Sequence, residues 1–289
     1  MSAINIPEYI LDDIPQCVAR ALAEDIGPGD ITAKLIGNSQ YATAGVISRE
    51  AAVICGRPWV DEVFHQLNPN TVIEWHIEEG EVVKPNQSLL TISGNTRVLL
   101  TGERCALNFL QTLSGTATTA REYANIIQDS EIQILDSRKT IPGLRLAQKY
   151  AVLIGGCKNH RMGLYDAFLI KENHILACGG IPEAVARARE IAPSKTVEVE
   201  VETMTQLKQA VDAKADRVML DNFSIDDLEE LHKLDLDATK IEVSGNITSE
   251  KIKSYLHPAI NYISSGSLTK HVRAIDLSMR LLDDQPSLA

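Results

Sequence analysis

The sequence predicts an α/β protein: an α+β N-terminal region followed by an incomplete (β/α) barrel of six to seven parallel strands. Two patterns carry this. From Gln133 onward, short β-rich runs alternate with helical runs, the signature of parallel strands joined by crossover helices. Each of those β-rich runs also ends in residues suited to chemistry, as at the C-terminal rim of a barrel.

The first hundred residues read as α+β. Ile10, Ile14, Val18 and Leu22 recur at helical spacing, and Gly27-Pro28-Gly29-Asp30 is turn-rich. Strands are expected around Ala44–Ile47, Ala52–Cys55, Val72–Ile77 and Ser88–Ile92. The stretch Glu78–Ile92 resembles hairpins of biotinyl and lipoyl carriers but lacks their Met-Lys-Met tip, so it reads as scaffold. A long helix is expected over Thr101–Ile127, interrupted near Gly115.

In the second half, strands are expected at Gln133–Leu135, Ala167–Ile170, Thr196–Val201, Arg217–Leu220, Lys240–Val243 and Tyr262–Ser264. A seventh is not resolved by the pattern. Thr203 with Gln206, and Ser224 with Asp227, have the spacing of helix-start capping boxes. In Thr196–Glu202 the valines share one strand face, and Glu198, Glu200 and Glu202 the other. A barrel turns those glutamates toward its axis, where they need cationic partners. An edge strand with a wet glutamate face is the alternative.

The strand ends supply the candidate site. Asp136-Ser137-Arg138-Lys139-Thr140 follow the first strand and Lys171-Glu172-Asn173-His174 the second. Glu200 lies near the end of the third, and Asp221-Asn222 close the fourth. Ser244-Gly245-Asn246 and Ser265-Gly266-Ser267 follow the last two, where small residues let backbone N–H groups approach a phosphate.

Charge sharpens this reading. The chain of 289 residues carries −11, from 28 Lys and Arg against 39 Asp and Glu. That acidity disfavours nucleic acid or a membrane surface as partner. Arg138 to Lys171 holds seven basic residues (Arg138, Lys139, Arg145, Lys149, Lys158, Arg161, Lys171) against Asp166, a local +6. Converging on the rim, such charge suits a polyanion, with arginine forks matched to carboxylate or phosphate. Glu200 and Asp221 suit Mg²⁺, ribose hydroxyls or a developing positive charge. No basic leader precedes an apolar run, and no stretch reaches the roughly 18 apolar residues of a membrane helix. Five scattered cysteines without C-x-x-C suit reduced thiols in the cytoplasm.

The motifs as a set resemble the quinolinate phosphoribosyltransferase family. They are LAEDIGPGDIT (Leu22–Thr32), Gly102-Glu103-Arg104 with Asn108, Ser114-Gly115, DSRKTIPGLR (Asp136–Arg145), NHRMGLYD (Asn159–Asp166) and KENH (Lys171–His174). They continue with EVEVE (Glu198–Glu202), LDNF (Leu220–Phe223), SGNIT (Ser244–Thr248) and SSGSLT (Ser264–Thr269). Departures are Ser137 for the usual threonine, Cys157 for glycine and Lys270 for histidine.

The resemblance implies an N-terminal α/β sandwich over 1–115 and a seven-stranded incomplete barrel over 116–289, in a homodimer. It implies transfer of phosphoribosyl from phosphoribosyl pyrophosphate to quinolinate with loss of CO₂, giving nicotinate mononucleotide, a step of de novo NAD biosynthesis. Arg104 would reach the partner's active site. Arg138, His160 and Arg161 would bind the quinolinate carboxylates, with Ser137 beside them. Lys139 and Lys171 would meet phosphoribosyl pyrophosphate, help hold the carboxylates and count, with Glu200 and Asp221, among the catalytic residues. Glu200 and Asp221 would hold ribose hydroxyls and Mg²⁺, partly through substrate and water. Ser244, Gly245, Asn246, Ser265, Gly266 and Ser267 would bind the 5-phosphate. The alternatives are a related pyridine phosphoribosyltransferase acting on nicotinate, a Schiff-base barrel aldolase using Lys171, and a carrier module on the Glu78–Ile92 hairpins.

Overall fold

The computed structural model describes residues 7–245 and 247–282. The chain forms two compact units. The first comprises Met1–Arg121, Ile141–Gly156 and the residues from Val272, and the second Glu122–Thr140 and Cys157–His271. Three stretches beyond residue 115 therefore group with the first unit: residues 116–121, the helix Arg145–Gly155 and the strand Leu277–Leu281.

In the first unit, helices Glu8–Leu11 and Ile14–Ile26 bury Ile10, Ile14, Val18 and Leu22, the residues whose spacing predicts them. The turn after them is closed by Asp30, whose Oδ1 accepts the N–H groups of Thr32 and Ala33 at 2.9 Å. Five strands follow: β1 (Tyr41–Ser48), β2 (Ala52–Val53), β3 (Val72–Trp75), β4 (Val82–Val83) and β5 (Ser88–Asn95). An antiparallel sheet runs in the order Leu277–Leu281, β1, β5, β3, while β2 and β4 form a separate two-stranded pair. Buried alternation along β1 and β5 turns one face to an apolar core that includes Trp59, Phe64, Leu90, Ile92, Leu110 and Tyr150.

The long helix spans Thr96–Ile126 without a break at Gly115, contrary to the expected interruption. Glycine is there for close approach. A Cβ built on Gly115 would lie 2.1 Å from the carbonyl oxygen of Arg273, so no larger residue fits. The neighbouring hydroxyls hold β2 and its extension: Ser114 Oγ accepts the Cys55 N–H at 3.0 Å, and Thr118 Oγ1 accepts the Val53 N–H at 2.9 Å.

In the second unit, β6 (Gln133–Leu135), β7 (Ala167–Ile170), β8 (Thr196–Val201), β9 (Arg217–Asp221), β10 (Lys240–Ser244) and β11 (Tyr262–Ser264) form a parallel sheet. Its order is β6-β11-β10-β9-β8-β7. From β7 to β11 consecutive strands are neighbours, whereas β6 and β7 share no ladder among the described residues, so the barrel is open between them. Lys158 makes a one-residue parallel bridge to Leu135 in that opening. This is the seventh β position, too short to leave a sequence period.

Strand β8 lies between β7 and β9, which removes the edge-strand alternative. Val197, Val199 and Val201 are fully buried on one face, and Glu198 and Glu200 lie on the other. Glu202 departs from the expectation: it falls beyond the strand and is exposed, and its N–H donates to Gln206 Oε1. Both expected capping pairs start helices, but only Ser224–Asp227 closes a full box, since the Gln206 side chain bonds the Glu202 N–H instead of that of Thr203. Thr203 Oγ1 accepts the Gln206 N–H at 3.2 Å, and Ser224 and Asp227 cap each other reciprocally.

Candidate active site

The C-terminal ends of the six parallel strands surround one cleft of about 670 Å³ in the second unit. Its lining includes Ser137, Arg138, Lys139, His160, Arg161, Lys171, Glu200, Asp221, Ser244, Gly245, Ser265, Gly266 and Ser267. Six loops separated by up to 130 residues thus converge because parallel strands all point their C-termini the same way. Asn246 lies outside the described residues. Arg104 and Asn108 belong to the first unit, exposed one turn apart on the helix Thr96–Ile126. Arg145 and Lys149, counted in the basic segment, also belong to that unit, and Lys149 is fully buried.

One side of the cleft is cationic. Arg138 Nε is buried with no hydrogen-bond partner among the described residues. Arg161 sits close enough to feel Arg138; burial first, then that neighbouring guanidinium, lower its pKa. Two guanidiniums on one side of a cleft have the charge and donor geometry that suit a doubly charged anion. The 159–161 segment is pinned by Asp136, which is fully buried and whose importance the sequence pattern did not reveal. Its Oδ1 accepts the His160 N–H at 2.8 Å, and its Oδ2 accepts from Asn159 Nδ2 at 2.7 Å. Asp166 folds the next turn by accepting the N–H groups of Met162 and Gly163.

His160 lines the cleft with its ring set among protein groups. Its side chain is only 8% exposed, and both ring nitrogens face protein. Nδ1 accepts the Arg161 N–H at 2.8 Å, and Nε2 lies 2.9 Å from Glu198 Oε2.

Across the cleft, Lys171 Nζ pairs with Glu200 Oε2. His174, next in the same loop, is not a cleft residue: its Nδ1 accepts the Lys171 N–H at 3.0 Å, closing a helix-start turn. Asp221 lines the cleft and accepts from Asn222 Nδ2 at 3.0 Å. Carboxylates at the ends of β8 and β9, with the Ser244 hydroxyl at the end of β10, give an oxygen-rich wall.

The two small-residue loops complete the lining. Gly245 has φ +105°, and a Cβ there would meet Asn222 Oδ1 at 2.5 Å. A Cβ on Gly266 would meet Lys139 Cδ at 2.9 Å. Both glycines keep the backbone close to the cleft. Ser265 is spent internally, donating its hydroxyl to the Ile247 carbonyl at 2.8 Å and accepting the Ser267 N–H at 3.3 Å. Lys139 is tethered through its carbonyl, which accepts from Thr269 Oγ1 at 2.8 Å. Thr248, Ser264, Lys270 and His271, given no role in the sequence reading, also line the cleft.

Family models for the quinolinate phosphoribosyl transferase N-terminal and C-terminal domains match residues 30–114 and 116–280. The chain belongs to the quinolinate phosphoribosyltransferase family. It is 41% identical over 257 residues to a probable nicotinate-nucleotide pyrophosphorylase (carboxylating) of Bacillus subtilis, covering 89% of each chain. A probable enzyme of the same name from Synechocystis is 36% identical, over 96% of this chain and 95% of the relative. The solved nicotinate-nucleotide pyrophosphorylase of Francisella tularensis superposes with a TM-score of 0.91 at 45% identity, over 96% of this chain and 98% of that one. The chain is accordingly an enzyme, a decarboxylating phosphoribosyltransferase of de novo NAD biosynthesis. Among the described residues, no helix is long and apolar enough to cross a membrane.

Proposed function

We propose that the strand-end cleft is the catalytic centre, joining quinolinate to phosphoribosyl pyrophosphate and releasing pyrophosphate and CO₂. The observation that carries this is the adjacent Arg138 and Arg161, with the buried Arg138 Nε left unpaired. An orphaned buried donor is costly, and a substrate carboxylate meets that need. Quinolinate brings two adjacent carboxylates to two guanidiniums, whereas nicotinate brings one.

The other roles follow from charge and reach. Lys139 and Lys171 are the cations for the pyrophosphate. Glu200 and Asp221 face the ribose, hydrogen-bonding its hydroxyls and stabilising positive charge on the sugar. The backbones of Ser244-Gly245-Asn246 and Ser265-Gly266-Ser267 receive the 5-phosphate. Ser137 lines the carboxylate side; its Oγ accepts the Lys139 N–H at 3.1 Å and so shapes that loop.

The quinolinate ring nitrogen attacks the anomeric carbon as the bond to pyrophosphate breaks, so the pair in that bond leaves on oxygen. The pyridinium nitrogen then accepts charge as the bond from C2 to its carboxylate breaks. CO₂ departs, and C2 takes a proton to give nicotinate mononucleotide. No side-chain nucleophile is needed; the chain contributes positioning and fixed charge.

The oxygen wall of Glu200, Asp221 and Ser244 has the donor chemistry of a hard cation, and we assign Mg²⁺ to it, held partly through substrate and water. Bound there, Mg²⁺ would offset charge on the pyrophosphate. We assign the reaction to the cytoplasm, a reading supported by five scattered cysteines with no C-x-x-C spacing.

We further propose a homodimer in which Arg104 of one protomer reaches the cleft of its partner. Its exposure on the long helix supports this. Mixing Arg104→Ala chains with Lys171→Ala chains should restore activity, because one site of each mixed dimer keeps both residues. Mixed dimers that stay inactive would contradict the shared site. Turnover of quinolinate against nicotinate tests the function itself.

A further inference from the structure

Below the cleft lies a buried polar cluster with no role in the reaction above. Glu198 is 2% exposed and Glu242 fully buried, on β8 and β10 with Arg217 of β9 between them. Arg217 Nη1 donates to Glu242 Oε2 at 2.9 Å, and its guanidinium lies 4.2 Å from the centre of the Tyr262 ring. Glu242 Oε1 is 3.6 Å from His160 Nε2, and Glu198 Oε2 is 2.9 Å from the same atom.

The hydrogen bond at the other ring nitrogen fixes the tautomer. His160 Nδ1 accepts the Arg161 N–H, so the proton of the neutral ring sits on Nε2, facing the two carboxyl groups. The ring is therefore hydrogen-bonded on its Nδ1 side and flanked by two acidic side chains, at 2.9 and 3.6 Å, on its Nε2 side. Asp136 pins the backbone of the same segment. What this framework carries toward the cleft is Arg161, whose Nη1 is steadied on the Ala167 carbonyl at 3.3 Å.

His160 and the two glutamates also offer three ligand-type atoms within 4.8 Å of one another. A guanidinium already bonded to Glu242 would repel a divalent ion there. The cluster reads instead as a support whose parts run in one line from Tyr262 through Arg217, Glu242 and His160 to Arg161.

We propose that Glu242 and Glu198 are positioning residues that set His160, and through it Arg161, for the second carboxylate of the pyridine substrate. The cluster is thereby a specificity determinant for a dicarboxylate over a monocarboxylate. Supporting groups that lock a binding residue's orientation affect the ligand it touches and spare ligands bound elsewhere. The inference rests on quinolinate being the substrate.

The test compares Glu242→Leu with Glu242→Gln in the full chain. The glutamine amide oxygen can still accept from Arg217, and leucine cannot. Leucine should raise the quinolinate KM about tenfold or more while the phosphoribosyl pyrophosphate KM changes less than about twofold. Glutamine should recover most of that loss. If Glu242→Leu does not fold, Tyr262→Leu weakens the same line from its far end, and should raise the quinolinate KM about threefold with the same selectivity. Equal shifts in both KM values, or a loss confined to kcat, would overturn the proposal. Wild-type enzyme inert toward quinolinate would instead refute the substrate reading, so the two failures are distinct.

Discussion

Lys171 and Glu200, at the ends of the neighbouring parallel strands β7 and β8, form an ion pair within the cleft. An ion-paired ammonium offers no lone pair, so the arrangement opposes a Schiff-base mechanism and suits a lysine that meets phosphate. Lys171→Ala should lower kcat/KM by roughly a hundredfold, the loss of one fixed transition-state charge. Borohydride with substrate should trap no adduct on the wild-type protein. A reduced covalent adduct at Lys171 would contradict this.

Arg138→Ala and Arg161→Ala should each weaken quinolinate by about 1.5–3 kcal/mol, roughly ten- to a hundredfold in Kd. Titration calorimetry checks this directly. Nicotinate, lacking one carboxylate, should lose less on either substitution. Unchanged quinolinate affinity in both variants would remove the arginine pair from the carboxylate site.

Glu242 gives stability a definite pH dependence. Burial first, then neighbouring Glu198, push its pKa up to about 7. An unfolded glutamate titrates near 4.3. Between those values the folded chain holds the proton and the unfolded chain does not. This contribution to stability is present below about pH 4 and is lost as pH rises toward 7. Burial raises the Glu79 pKa as well, which acts in the same direction. The melting temperature of Glu242→Gln relative to wild type should therefore increase between pH 5 and pH 8. A constant difference would contradict the assignment.

Much of the fold was legible because its signals are local. Four of the six barrel strands begin and end where sequence alternation puts them, and β9 and β10 run one residue longer, to Asp221 and Ser244. The cleft was legible because parallel strands gather their C-terminal ends, so the order of residues along the chain is also a statement about space. What escaped was what depends on distant neighbours. Gly115 looks like a helix breaker until the Arg273 carbonyl is beside it. Lys158 supplies a β position one residue long. Asp136 and Glu242 look like ordinary acids until burial and their partners give them structural work. His160 lines the cleft, and the hydrogen bond from Arg161 and the approach to Glu198, which no sequence period announces, set its ring there.

The most direct measurement follows quinolinate consumption by its ultraviolet absorbance while CO₂ and pyrophosphate are counted, with phosphoribosyl pyrophosphate and Mg²⁺ supplied. One CO₂ and one pyrophosphate should appear for each quinolinate lost, and nicotinate in its place should give far slower pyrophosphate release. Pyrophosphate release without CO₂, or equal turnover of nicotinate, would contradict a cleft built around two carboxylates.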